Sequence, residues 1–383
     1  MDLTFTDEQA MLADTVRRMC QEHAGSDAIR ATEADGAPFP PDLWRHLAAA
    51  GLLGLGIGGE FGGAGAGLLE WTLLAEELGR AAAPLTPILS GVLAARILER
   101  AGSPEQRAQW LPRLAEGTAL VSVAWLEPGG DYTPERIALS ARRCGERVRL
   151  QGAKTLVPFA AEADAILVPT REEPSGRIGL FLVPNGDGVR CSPQRTLAGE
   201  PLHFVDFDLE LPADARIGEP GDAWETLQQA MAPTAIVLAA YAAGGARRVL
   251  EMATAYATER HQFGRPIGAN QGISHPLADT LAAVEAARTL MHQAAWCHDA
   301  GRDHLMQAMM AKQRCCAVFR AASMTAHQVY GGIGFTLDVD VQLFSRRAKQ
   351  LQLTWWDDAF LSATLGGLLL DDGPGLLPAL VER

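Results

Sequence analysis

Residues 205–211 read VDFDLEL. Val205, Phe207, Leu209 and Leu211 alternate with Asp206, Asp208 and Glu210. An apolar period of two is that of a strand with one face in a core and the other in water. Similar short runs precede it: RVRLQGAKTLV (147–157), DAILVPT (164–170) and GLFLVPNG (179–186), each bounded by turn residues. Residues 118–217 therefore read as a domain of antiparallel strands. On either side the period becomes helical. Thr6 followed by Gln9 makes a capping box, and PDLWRHLAAAG (41–51), LLEWTLLAEELGR (68–80) and PILSGVLAARILERAG (87–102) follow between Gly and Pro breaks. Residues 1–117 form an N-terminal helical domain in this reading. Beyond the strands, Val249, Met252, Ala253 and Tyr256 keep one helical face. Helical runs are expected at 275–300, 303–330 and 338–370, within a C-terminal bundle domain of 218–383. The fold class is α+β, ordered helices, strands, helices.

Composition narrows the function. The 383 residues are 48% hydrophobic, enough for two or three packed domains rather than disorder. Net charge is −13 and no Lys/Arg cluster occurs, which argues against nucleic-acid binding. Cys20, Cys144, Cys191, Cys297, Cys315 and Cys316 include no C-x-x-C pair. Scattered thiols, a start (MDLTFTDEQA) without the basic-then-apolar pattern of a signal peptide, and no membrane span predict a cytoplasmic protein. The apolar run AMAPTAIVLAAYAAGGA (230–246) is short for a span and contains Pro233, Gly244 and Gly245; it reads as a buried helix.

Most local motifs carry little. GLGIGG (54–59) matches a dinucleotide fingerprint but follows a helix instead of a strand, so loop glycines are the better reading. G-x-S-x-G and H-E-x-x-H are absent, the histidines are dispersed, and no metal-ligand spacing is present. ERHQFGRPIGANQ (259–271) is different. Arg260 can grip a pyrophosphate as a forked donor, Phe263 can cover an aromatic ring, and Gln271 can bond an amide or purine edge. An ordinary charged helix end would look the same, and the residues alone leave both readings open.

This stretch resembles the cofactor motif of the acyl-CoA dehydrogenase family. So, in order and spacing, do FTDEQAML (5–12), GLLGLGIGGEFGGAGAG (51–67), GSPEQRAQWLPRLAEGT (102–118), AWLEPGGD (124–131), QGAKTLV (151–157) and QVYGGIGFT (328–336). The resemblance spans essentially the whole chain. It implies a helical domain, a β-domain and a C-terminal four-helix bundle. It also implies a tetramer, FAD, an acyl-CoA thioester substrate, and electron-transferring flavoprotein as electron acceptor. In the family a carboxylate removes the α-proton while the β-hydride passes to the flavin. One chain holds the isoalloxazine; a neighbour's Arg, Phe and Gln hold the ADP part, helped by a Gln…Gly-Gly turn from another chain. Arg260, Phe263, Gln271, Gln328, Gly331 and Gly332 fit that second role.

The chain departs from the family elsewhere. The usual T-E-P-G-x-G-S-D is LEPGGD, with Leu126 for the threonine and no serine. The usual Trp-x-Thr/Ser is Leu156-Val157-Pro158, which removes hydroxyls and even a backbone donor. Glu127 and Lys154 remain and read as scaffold. Counting from the glycine turn and Arg346, the catalytic glutamate falls on Trp355, in TWWDDA (354–359). The alternative base position, counted back from Arg260, is Thr234. Indole is a donor only, and a hydroxyl is no base near neutral pH. Asp358, and less well Asp357, are the fallback; solvated helix acids are the plainer reading. The pattern resembles the base-lacking chain of heteromeric α2β2 acyl-CoA dehydrogenases acting on bulky substrates such as steroid side-chain thioesters. That implies a base-bearing homologue as partner. The alternatives are a self-sufficient homotetramer using Asp358, or a flavin monooxygenase or oxidase on the same fold.

Overall fold

The computed structural model describes residues 4–371. Two compact units divide inside one long helix, between Thr234 and Ala235.

The first unit, Thr4–Thr234, opens with helices α1 (Asp7–His23), α2 (Ser26–Asp35), α3 (Pro41–Ala49), α4 (Leu68–Arg80), α5 (Ala95–Ala101) and α6 (Pro104–Ala115). The expected capping box starts α1: Thr6 Oγ1 accepts from Gln9 N and the Gln9 side chain accepts from Thr6 N. Ser103 and Gln106 repeat the device at α6. The 54–59 glycines lie among tight 3-10 turns with no strand before them, which removes the dinucleotide reading.

A sheet follows, from β1 (Val121–Val123), β2 (Ser140–Cys144), β3 (Arg147–Pro158), β4 (Ala165–Glu173), β5 (Ile178–Pro184), β6 (Val189–Gln194) and β7 (Leu202–Pro212). The order is β1-β4-β2-β3-β7-β6, with β5 on β4. The alternation that opened the reading holds in β7: Val205, Phe207 and Leu211 are buried beside Leu150, Val168 and Phe181 in the sheet's core. Most pairings are antiparallel, but β1–β4 and β2–β4 run parallel, which hairpin spacing along the chain does not reveal.

Helix α7 (Ala223–Glu259) crosses the unit boundary. The second unit continues with a two-strand hairpin, β8 (His261–Gln262) and β9 (Arg265–Pro266), then α8 (Gln271–Asp299), α9 (Leu305–Tyr330), a 3-10 turn at Gly331–Phe335, α10 (Val341–Leu353) and α11 (Asp358–Gly366). The helix expected over 338–370 is thus two helices. Between them Trp355 and Trp356 take the left-handed conformation, φ 53° and 60°. A left-handed non-glycine residue costs roughly 1–2 kcal/mol. Burial offsets it: Trp355 is 7% and Trp356 1% exposed, and removing a buried Trp costs about 3–5 kcal/mol. Among the described residues, no helix is long and apolar enough to cross a membrane.

Candidate functional site

The strongest cluster of outward-facing polar and aromatic groups lies in the second unit. Helix α7 ends at Glu259 and the chain turns at once through the β8–β9 hairpin. Phe263 and Gly264 form its two-residue loop, φ 56° and 78°. Positive φ at both loop positions is the hairpin geometry that favours Asn-Gly, so phenylalanine is strained there. Its ring is also 96% exposed. Neither packing nor backbone preference accounts for an aromatic residue at this tip. Arg260 is fixed on both sides of its peptide: its N–H donates to Tyr256 O (2.8 Å) and its carbonyl accepts from Ile267 N (2.8 Å). Gln271 is the first residue of α8, at the positive end of the helix. Gln328 lies in the last turn of α9, and the chain leaves that helix through Gly331 (φ 63°, ψ −144°). A Cβ at Gly331 or Gly332 would meet nothing within 4 Å, so the turn is open to a ligand. Arg260, Gln271 and Gln328 are exposed, and among the described residues none of their side chains has a hydrogen-bond partner. A forked cation, an uncovered ring, two free amides and an open glycine turn fit the diphosphate and adenosine parts of a dinucleotide.

The residues expected to face a flavin ring lie in the first unit and are spent on each other. Leu126 is half-buried, and its carbonyl accepts from Thr155 N (2.9 Å). The β3–β7 register breaks between Lys154 and Val157, leaving Leu156 left-handed at φ 52°. Gln194 holds this bulge: its Oε1 accepts from Leu156 N (2.8 Å), and its amide bonds the Thr155 hydroxyl (3.1 Å). Val157 is buried, and the Pro158 carbonyl accepts from Ser122 Oγ (2.6 Å). Thr133, a hydroxyl two residues past LEPGGD, donates to Asp131 Oδ1 (2.6 Å). Side-chain donors to a flavin edge are therefore committed internally or absent along 126–131 and 155–158. Glu127 and Lys154 are a built-in brace. The Glu127 carboxylate accepts from Ala138 N and Leu139 N (3.0 Å each) and from Lys154 Nζ (2.8 Å). Lys154 is fully buried, and that burial pulls its pKa down to about 8 against the pull of Glu127.

The two positions expected for the base carry no carboxylate. Thr234 is fully buried in mid-helix, and its hydroxyl donates to Ala230 O (2.8 Å). Trp355 is buried in the left-handed turn. Neither aspartate lies on a helix running on from α10, as counting through a continuous helix would place them. Asp357 is the N-cap of α11 and accepts from Phe360 N (2.8 Å); Asp358 is the first residue of that helix. The sequence reading missed what shapes the turn. The buried Lys312 ammonium donates to Leu351 O (3.0 Å) and Trp356 O (3.1 Å), closing the end of α10 and the turn together. Burial lowers its pKa. One of only three lysines in the chain, placed at an otherwise apolar helix face, was the available signal. Among the described residues no group of three or more His, Cys, Asp or Glu could hold a metal ion.

Comparison with known proteins gives the family. Residues 6–118 match the acyl-CoA dehydrogenase N-terminal domain, and residues 221–354 match its C-terminal domain. The second match stops one residue short of Trp355. An acyl-CoA dehydrogenase of Bacillus subtilis is 32% identical over 91% of this chain and 94% of its own length. Butyryl-CoA dehydrogenase of Megasphaera elsdenii superposes with a TM-score of 0.90 at 25% identity, covering 97% of this chain and 100% of that one. The ChsE4-ChsE5 complex of Mycobacterium tuberculosis contains a chain with a TM-score of 0.89 at 28% identity, covering 98% and 100%. The chain belongs to the acyl-CoA dehydrogenase family of FAD-dependent oxidoreductases.

Proposed function

We propose that this protein is the base-lacking, FAD-sharing chain of an α2β2 acyl-CoA dehydrogenase. The complex would oxidise the Cα–Cβ bond of a bulky acyl-CoA, such as a steroid side-chain thioester. The observation that carries the reading is the contrast between the two half-sites. The ADP arm is exposed and unspent, with Phe263 held strained and bare at its tip. The flavin-edge segment has Leu126 and Pro158 where hydroxyl donors belong, and Trp355 fills the base position. A chain under selection only to complete a neighbour's cofactor site would keep the first and lose the second. The similar ChsE4-ChsE5 structure is a complex of two differently named chains, which supports a heteromeric assembly.

In this reading Arg260 neutralises the diphosphate, Phe263 covers the adenine or ribose face, and Gln271 with Gln328 bonds polar edges. The Gly331–Gly332 turn lets backbone approach without a side chain in the way. Bound FAD supplies the hydride acceptor. The proton at the substrate Cα leaves to a carboxylate of the partner chain, because this chain offers Trp355 and Thr234 at the two positions known to carry it. An electron-transferring flavoprotein would serve as the external electron acceptor. A self-sufficient enzyme would need Asp358 as base, and a monooxygenase or oxidase would still need the flavin-edge donors that Leu126 and Pro158 lack.

The test is to restore a carboxylate. Trp355→Glu in the chain alone should give no acyl-CoA-dependent reduction of an artificial electron acceptor with added FAD, since the isoalloxazine half is also missing. Turnover by that single variant would overturn the reading.

A further inference from the structure

The glycine turn assigned above to the ADP side is a single short 3-10 stretch, Gly331–Phe335, yet it must present its amides in one orientation. Two aromatic residues at the end of α9 anchor it. Tyr330 stacks on Tyr256 (ring centroids 4.2 Å, interplanar angle 16°) and its hydroxyl donates to Met252 O (3.2 Å). This ties the start of the turn to the stretch of α7 that leads into Arg260. His327 grips the other end. Its ring stacks on Phe335, the last residue of the turn (4.3 Å, 20°), and its Nε2 meets Ser345 Oγ of α10 at 3.0 Å. Ser345 Oγ donates its own proton to Gln342 O (3.0 Å), so Nε2 carries the hydrogen and Ser345 accepts. Nδ1 is then a bare acceptor, and it is buried with no hydrogen-bond partner. Burial likewise lowers the pKa of His327, in keeping with a neutral ring. A Cβ at Gly334 would stand 3.2 Å from Nδ1 and 3.1 Å from Tyr330 Cβ, so the turn is pressed directly on both anchors.

A buried, unpaired ring nitrogen is a penalty that leucine or phenylalanine would not bring. Histidine repays it only by offering a flat face to Phe335 and an N–H to Ser345 at once. We infer that His327 is a positioning residue: it sets the orientation of the 331–335 turn, and with it the Gly331 and Gly332 amides and the Gln328 side chain that face the cofactor's ADP part. The inference rests on the half-site reading above and adds the residue that sets its geometry.

The test uses the full chain with ADP as probe, read by titration calorimetry, together with amide hydrogen exchange over 329–336. His327→Phe keeps the stack and the apolar packing but loses the Ser345 bond. It should weaken ADP binding by about tenfold, the worth of one such bond, and speed exchange across the turn while the thermal midpoint stays near wild type. Ser345→Ala should do the same from the other side. His327→Gln, whose amide can lie flat on Phe335 and donate to Ser345, should recover most of the affinity. Wild-type-like ADP affinity and exchange in His327→Phe would overturn the positioning role alone. Absence of ADP binding by the wild-type chain would remove the half-site reading and the role with it.

Discussion

At the residue scale the two acids beside the tryptophans separate by their place on α11. Asp357 caps the helix, so Asp357→Ala should cost about 1 kcal/mol, measured by denaturant unfolding, with no change in cofactor binding. Asp358→Asn should change stability by less than about 0.5 kcal/mol. In an assembled complex it should leave turnover intact; loss of turnover would revive Asp358 as the base. The sequence pointed to this stretch but did not show its shape. Counting through TWWDDA assumed an unbroken helix, and nothing in side-chain patterning shows that Trp355 and Trp356 are left-handed. That conformation is set by tertiary contacts: the tryptophans are buried, and Lys312, more than forty residues earlier in the chain, caps the carbonyls around them.

At the scale of elements, pattern was most legible where one face is buried. The β7 alternation and the α1 capping box were plain because each is a local rule. The parallel β1–β4 and β2–β4 pairings were not, because crossover partners leave no local mark. The brace between LEPGGD and β3 follows from two residues that read only as scaffold. Glu127→Ala would leave Lys154 buried without its counter-charge and free two backbone amides of their acceptor. A loss of roughly 3–5 kcal/mol is expected, visible as a lowered denaturant midpoint at unchanged m. Histidines make a second element-level prediction. Burial lowers the pKa of both His203 and His327 from the ordinary histidine value of about 6.5. As pH falls below about 6.5, the unfolded chain takes up these protons before the folded one does, so stability falls with pH in that window. A His203→Gln, His327→Gln double variant should lose less stability between neutral pH and pH 5 than wild type; equal slopes would show the two rings titrate normally.

For the whole molecule, the family and the order helices–sheet–helices were readable from scattered motifs. The residues proposed for the ADP arm could be singled out one by one because they stand exposed at helix ends and turns. Its supports, Tyr330 and His327, could not, since anchoring depends on which residues of α7 and α10 lie beneath them. The central claim is that the chain completes a cofactor site it cannot build alone. Flavin content decides it most directly, from absorbance in the flavin band against protein concentration. Purified alone, the chain should carry almost no FAD, because its ADP half-site binds reversibly and too weakly to retain the cofactor through purification; co-expressed with a base-bearing homologue, the complex should hold about one FAD per two chains, the retained affinity coming from closure of the shared site. Close to one FAD per chain in the isolated protein would contradict the account.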